Sequence, residues 1–358
     1  MQPNGDMLRL ARQRKGFPQT EAARRLGIDQ SLLSRMENGV VEVRDDILLR
    51  AEAVYGVRRS FFYQTEPIYG PPVSVHPMWR KKADVTGRDV DAIVSEANIR
   101  VMHLRKFLEA ADVATVNDLP RLDIDDFGDP ERIAALVRAH WKVPRGPIRN
   151  LTVLVERAGV LVAHSPMAGA AVSGLTFSVP GMPSLIILNS DQPADRMRFT
   201  LAHELGHLVM HRFPSANMEN EAHAFASAFL LPAEDIRPLL QTRRIDLPLL
   251  ASLKPEWKVS MQAILMRAKS LGLLTRNQEE YLWKQISVRK WRTREPVELD
   301  FEIEMPSVIP NLVKIFREHL GYSDSELSNL LHIFENELFA LYPAPGDDGA
   351  KSKFTIIG

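Results

Sequence analysis

The sequence predicts a multidomain, mainly α-helical protein that contains one small α+β domain. Its 358 residues exceed what one compact core of ordinary size would hold, so two or three domains are expected. Apolar residues recur at helical spacing through most of the chain. Only three segments have the pattern of strands, and these are residues 159–163, 172–179 and 185–189. Three strands are too few for a doubly wound α/β fold, so a small α+β unit fits better.

The overall composition excludes several classes of function. The chain carries 45 basic and 45 acidic side chains, so a nucleic-acid site must arise from a local surface rather than from bulk charge. It contains no cysteine, which excludes disulfides and thiolate metal sites and is compatible with a reducing compartment. The sequence shows neither an apolar leader segment nor an apolar run long enough to cross a membrane. We therefore expect a cytoplasmic protein without a membrane partner.

Residues 1–66 are predicted to form an N-terminal all-α bundle. Short helices punctuated by turns are expected over residues 8–15, 19–26, 30–37 and 45–55, with a last turn near Ser60. Gly27 permits a tight turn, and Asp29 can cap the helix that follows it. This pattern is typical of a helix-turn-helix unit.

The stretch from Pro18 to Gly39 resembles the XRE (Cro/repressor-like) helix-turn-helix family, apart from Pro18 itself and the small Ala22. The resemblance implies a DNA-binding domain. Leu32, Leu33 and Met36 would form the buried side of the second helix of the motif.

The outward face of that helix supplies the candidate DNA contacts. It carries Gln30, Ser31, Ser34 and Arg35, and Gln and Arg can make bidentate contacts with adenine and guanine edges in the major groove. Gln19, at the start of the preceding helix, can reach a phosphate. We expect a homodimer that reads a two-fold operator DNA site. The alternative is that the bundle serves as a protein-interaction module.

Residues 67–114 are expected to join two domains. A proline-rich spacer covers residues 67–77, and apolar spacing over residues 90–113 predicts one long helix that could separate the DNA reader from the next domain. Further on, helices are predicted from Asp129 to before Pro144 and over residues 149–158.

The segment from His203 to His207 carries a His-Glu-x-x-His signature. On a helix, residues four apart lie on one face, so the two imidazoles can point at one ion, and their spacing suits zinc. Glu204 is turned about 100° from His203, which places its carboxylate beside the metal rather than on it. There it can take a proton from metal-bound water. An apolar strand over residues 185–189 precedes this helix.

Two motifs in this region resemble the ImmA/IrrE family of bacterial metallopeptidases. They are the stretch from Arg198 to His207 and the stretch from Glu219 to Pro232. The resemblance implies a zincin-like domain, placed here at residues 115–245, with Zn²⁺ bound by two His and one Glu and with a repressor protein as substrate. One departure is His223, where family members usually carry Asn.

The third metal ligand is left open by helical periodicity. Glu219 and Glu221 lie about 200° apart on the predicted helix, and each falls on a shoulder of the apolar face. The family pattern favours Glu219, with His223 one turn later as its hydrogen-bond partner. His211 continues the face of His203 and His207, but lies about 12 Å from His203 along a straight helix, so a supporting or structural role is expected rather than ligation.

Residues 246–358 are predicted to be helical. Residues 247–267 look like a second, degenerate helix-turn-helix, and another helix pair is expected within residues 312–342. For both, helical packing or dimer contacts are favoured over DNA contact, because their outward faces are not especially basic. A basic run follows at residues 289–294.

Together these features predict a DNA-binding regulator with a conditionally active zinc endopeptidase, in which Glu204 serves as general base. The expected substrate is a protein, with a helix-turn-helix repressor first and self-cleavage within residues 67–77 second. Its scissile segment would pair alongside an edge strand at residues 185–189. The alternative is a transcription factor whose zincin fold senses a metal or small ligand and cleaves nothing.

Overall fold

A computed structural model describes residues 2–70, 86–113, 115–167, 172–241, 244–342 and 354–356. Most of the predicted spacer at residues 67–77, including the suggested self-cleavage segment, lies outside these ranges. Over the described residues the chain is mainly helical, with two small sheets. None of the described helices is long and apolar enough to cross a bilayer.

The N-terminal bundle contains four α-helices and one 3₁₀ turn, as the sequence predicts. They are α1 (Gly5–Arg14), α2 (Gln19–Leu26), α3 (Gln30–Glu37), α4 (Asp45–Tyr55) and the 3₁₀ segment Arg59–Tyr63. The turn between α2 and α3 uses Gly27 in the left-handed conformation, with φ of 64°. Asp29 is the N-terminal residue that precedes α3, but its side chain makes no capping hydrogen bond there.

The long helix α5 (Gly87–Ala110) lies between the bundle and the rest of the molecule. Thr86 and Asp89 form a capping box at its start. Ile99 and Met102 belong to the apolar core of the bundle, whereas Val101 and Leu104 belong to the core that contains part of the larger sheet. The helix therefore joins the N-terminal bundle to the next domain rather than holding the two apart.

The larger sheet contains the three strands that the sequence predicts, β2 (Leu161–Ser165), β3 (Gly174–Phe177) and β4 (Leu185–Asn189). Their order is β2-β4-β3, with β4 parallel to β2 and antiparallel to β3. The expectation that residues 185–189 form an edge strand is therefore wrong: β4 is fully buried because it lies between two partners. A second, two-stranded sheet pairs β1 (Ala111–Val113) with β5 (Phe354–Ile356).

Helices cover the larger sheet and build the main core. Before it come α6 (Ile124–Phe127), α7 (Pro130–His140) and α8 (Leu151–Glu156). After it come α9 (Ala194–Met210), α10 (Met218–Leu230) and α11 (Ala233–Gln241). The helix that carries the His-Glu-x-x-His signature, α9, packs against α10 along its length and contacts β3 and β4.

The C-terminal region is helical, as predicted, but it is not a separate layer. Its helices are α12 (Leu247–Trp257), α13 (Met261–Ser270), α14 (Arg276–Val288), α15 (Val308–Glu318), α16 (Asp324–Leu330) and α17 (Glu335–Leu341), with a 3₁₀ turn at Val297–Leu299. Leu250, Trp257 and Ile264 share one apolar core with residues of α9 and α10. That core continues across residue 245, so α12 and α13 complete the fold around α9.

Candidate metal centre and DNA-reading face

Three metal-binding side chains meet where α9 faces α10. The Nε2 atoms of His203 and His207 are 3.1 Å apart. A Glu219 carboxylate oxygen lies 3.4 Å from the His203 Nε2 atom, and the other lies 3.5 Å from that of His207. Two imidazoles and one carboxylate that converge in this way form a donor set suited to zinc.

The chemistry of this cluster fits a bound cation. Both carboxylate oxygens of Glu219 are buried and have no hydrogen-bond partner among the described residues. A buried carboxylate without partners is costly, and a cation would compensate it. Burial lowers the pKa of His207 to about 2, so its imidazole is neutral and can offer a lone pair to a metal.

The close approach of α9 and α10 depends on Gly206. A Cβ atom at this position would lie 3.0 Å from the Cδ1 atom of Phe225 and 3.4 Å from the Cα atom of Ala222. Gly206 thus leaves room for the neighbouring helix. The short interhelical distance is what brings Glu219 to the histidine pair.

Glu204 lies beside the cluster and not in it. The hydroxyl of Thr176, on β3, donates a 2.6 Å hydrogen bond to Glu204 Oε2. This bond connects the carboxylate to β3, an outer strand of the described sheet. Sequence reasoning missed Thr176, because nothing in a short strand pattern indicates which residue of the strand meets the helix.

His211 and Glu221 form a second line of contacts behind the cluster. Helix α9 ends at Met210, and His211 adopts an extended backbone conformation. Its Nδ1 atom lies 3.0 Å from His207 Nδ1, and its Nε2 atom lies 3.0 Å from Glu221 Oε2. Of the two glutamates that periodicity left open, Glu219 is therefore the one placed with the histidine pair, and Glu221 contacts His211.

The expected hydrogen bond between His223 and Glu219 is not formed. Neither Glu219 oxygen has a hydrogen-bond partner among the described residues. The His223 ring packs instead against Phe199, with 4.8 Å between ring centroids, and lies 6.4 Å from the ring of His203. The hydrogen bond is absent because the His223 imidazole points from α10 towards Phe199 of α9 and not along its own helix towards Glu219.

A cavity of about 630 Å³ lies next to His223, and neither Glu204 nor the three metal-binding side chains line it. His223 and Phe199 line it at the end nearest His203, and Met266 of α13 lines it from the C-terminal region. Lys254, also in the lining, donates hydrogen bonds to Asp195 and Glu295 at 2.5 and 2.9 Å. The C-terminal helices thus help to form this cavity.

Arg198, from the first motif, anchors the metal helix. Its guanidinium donates to Glu304 and to the carbonyl of Ile148. Glu304 also accepts hydrogen bonds from the backbone nitrogens of Leu151 and Thr152 at 2.7 and 3.1 Å. Sequence reasoning missed Glu304 because it lies 106 residues from Arg198.

The predicted DNA contacts lie on one face of the N-terminal bundle. Gln30, Ser31 and Arg35 are exposed on α3, and Ser34 is half-buried. The amide of Gln19 donates to Glu37 at 2.9 Å, and its oxygen accepts from Gln30 at 2.7 Å. Gln19 thus orients Gln30, in addition to the phosphate contact proposed for it.

A buried ion pair inside the bundle supports this arrangement of Gln19 and Gln30. Arg12 donates to both carboxylate oxygens of Glu37, at 2.6 and 2.9 Å. Because Glu37 in turn accepts from Gln19, the ion pair, Gln19 and Gln30 form one connected chain of contacts that ends on the exposed face of α3.

Comparisons with protein families agree with this architecture. Residues 8–62 match the model described as helix-turn-helix, and residues 155–269 match the model of the IrrE N-terminal-like domain, a peptidase family. No curated protein matches the chain. The chain is thus a regulator-type protein in which a DNA-binding domain is joined to a peptidase-family domain. In particular, it combines an XRE-type helix-turn-helix domain with an ImmA/IrrE-like domain, as the motifs predicted.

Proposed function

We propose that this protein is a DNA-binding transcriptional regulator whose second domain is a zinc-dependent endopeptidase that cleaves a regulatory protein. The observation that carries the proposal is the convergence of His203, His207 and Glu219 on one point, with Glu204 beside them. The match to a peptidase family over residues 155–269 supports it.

In this proposal the ligands are His203, His207 and Glu219. Zinc held there would polarise the scissile carbonyl and lower the pKa of a bound water. Glu204 accepts the proton of the attacking water and later delivers it to the leaving amine. The hydroxyl of Thr176 donates to Glu204 Oε2 and thereby helps to hold this carboxylate in place.

The substrate segment would add to β3, which is an edge strand of the described sheet. The backbone nitrogen of Asn189 donates to the carbonyl of Ser173, so in the antiparallel register the alternate residues Gly174 and Thr176 direct their backbone groups away from β4. A peptide paired there would lie beside Thr176, whose hydroxyl donates to Glu204. This arrangement replaces the expected pairing at residues 185–189.

The N-terminal domain would bind operator DNA through α3, and we propose that it does so as a homodimer on a two-fold site. Arg35 is exposed and has no side-chain partner among the described residues, so it is free to reach a base edge. The protein substrate would be a helix-turn-helix repressor, recognised by docking of a folded partner. Generic peptides should therefore be cut poorly.

The competing function is a cytoplasmic transcription factor that senses a metal or a small ligand without cleaving protein. The cavity of about 630 Å³ beside His223 favours it, because a ligand of drug-like size would fit there. The hydrogen bond from Thr176 to Glu204 favours the peptidase, since a sensor needs the ligands but not an oriented base.

The substitution Glu204→Gln separates the two functions. It removes the base and no ligand, so it should abolish cleavage while zinc and DNA binding persist. The experiment expresses wild type and variant in the native host under stress and compares the proteomes for fragments. If no fragment depends on Glu204 while regulation of the operator persists, the sensor is the better account.

A further inference from the structure

The far side of the metal cluster contains a continuous line of three side chains. His207 directs Nε2 towards Glu219, 3.5 Å away, and Nδ1 towards His211, 3.0 Å away. His211 then reaches Glu221 at 3.0 Å. The His211 side chain is only 2% exposed, so water does not compete freely for these contacts.

Only one placement of protons lets this line bind a metal and form both hydrogen bonds. If His207 offers the Nε2 lone pair to a metal, its proton must sit on Nδ1 and be donated to His211. His211 Nδ1 must then be the acceptor, so its own proton sits on Nε2 and is donated to the Glu221 carboxylate. Each member fixes the tautomer of the one before it.

His203 shows no equivalent support among the described residues. Its ring makes contacts through Nε2 and with neighbouring rings, and its side chain is 12% exposed. His211 makes the difference: its extended backbone follows the end of α9 at Met210, and its ring lies against that of His207.

We propose that His211 and Glu221 are positioning residues that hold His207 in its metal-binding tautomer and orientation. The proposal rests on the metal site proposed above and gives Glu221 a function that excludes ligation. Partners of this kind typically change metal affinity by 10- to 100-fold when they are removed.

The experiment measures zinc affinity of the full-length protein by competition with a chelator of known affinity. His211→Gln lacks an acceptor at the Nδ1 position, and Glu221→Ala lacks the final carboxylate. Each should weaken zinc binding by about 10- to 100-fold. Two matched variants serve as controls: His211→Asn keeps an acceptor near the Nδ1 position, and Glu221→Gln keeps an oxygen that accepts from His211. Both should stay closer to wild type than their partners.

The double variant His211→Gln with Glu221→Ala should bind zinc about as well as His211→Gln alone, because the two residues act in series. Unfolding of the metal-free variants by denaturant distinguishes positioning from packing. The proposal is overturned if zinc affinity is unchanged in His211→Gln and Glu221→Ala, or if it falls equally in all four single variants in step with stability. Absence of zinc binding by the wild type would instead overturn the proposed metal site itself.

Discussion

Two helix pairs in this chain share a helix-turn-helix pattern, but the fold uses them differently. In the N-terminal pair, α3 leaves Gln30, Ser31 and Arg35 exposed. In the C-terminal pair, one face of α13 packs into the main core, and its polar side chains Gln262 and Arg267 bond within the protein. Arg267 donates to the carbonyl of Leu231 at 2.8 Å and to Glu131, and Gln262 donates to the carbonyl of Trp291 at 3.1 Å.

The difference shows that a helix-turn-helix pattern describes local structure and not a reading face. The distinction lies in Arg35 of α3, which has no side-chain partner among the described residues, whereas Gln262 and Arg267 of α13 bond within the protein. These two side chains of α13 line the cavity next to His223. Residues 247–267 thus pack into the main core, in line with the packing interpretation, and α3 is the helix for which we propose DNA reading.

The largest expected effect is on α13. Arg267→Met should lower the free energy of unfolding by about 2 to 3 kcal/mol, since it leaves the buried carbonyl of Leu231 without its donor and removes the ion pair of the buried guanidinium with the half-exposed Glu131. Denaturant unfolding measures it. Arg35→Ala is the matched control on α3 and should change stability by less than about 0.5 kcal/mol. Equal losses in the two variants would contradict the comparison.

The next largest expected effect is on DNA binding. Here the variant on α3 should change binding and the variant on α13 should not. Arg35→Ala should relax sequence preference by about 1 to 3 kcal/mol at one base pair of each half-site, because it removes a base-edge contact. Gln262→Ala on α13 should leave the footprint unchanged. Footprinting with operator variants tests both, and an intact protein that protects no site at any salt concentration would refute DNA reading by α3.

A smaller effect should appear in the pH dependence of stability, at the place where the N-terminal bundle docks onto α5. Arg14 of α1 forms a buried ion pair with Glu96 of α5 at 2.6 Å. Next to this pair, burial lowers the pKa of His103 from 6.5 to about 3, and its Nδ1 atom lies 2.9 Å from the hydroxyl of Tyr342.

Below pH 6.5 the unfolded chain binds a proton at His103, whereas the folded chain binds it only near pH 3. The contribution of the neutral His103 to stability is therefore fully present above pH 6.5 and is lost as the pH drops towards 3. His103 alone should contribute about 1 kcal/mol per pH unit. His103→Asn should flatten the slope of unfolding free energy between about pH 6.5 and 5, where carboxylates contribute little. His319 is exposed, so His319→Asn serves as control. An unchanged slope in His103→Asn would contradict the contribution of His103 to the pH dependence.

Local patterns predicted much of the fold and the centre of the site. The helices of the bundle, the three strands and the pairing of His203 with His207 all follow from spacing within one element. The features that required the structure depend on partners distant in sequence. The central place of β4, the contact of Thr176 with Glu204 and the burial of one face of α13 arise from packing between elements. His223 also differs, because its direction is set by Phe199 on another helix.

The central claim is that three side chains of α9 and α10 hold a metal ion beside a separate base. Metal analysis of the purified full-length protein, saturated with zinc and then freed of excess, tests it most directly. The account predicts about one zinc per chain for wild type, Glu204→Gln and Glu221→Gln, and a marked loss for Glu219→Gln. Wild type without metal, or zinc retained by Glu219→Gln but lost by Glu221→Gln, would contradict it.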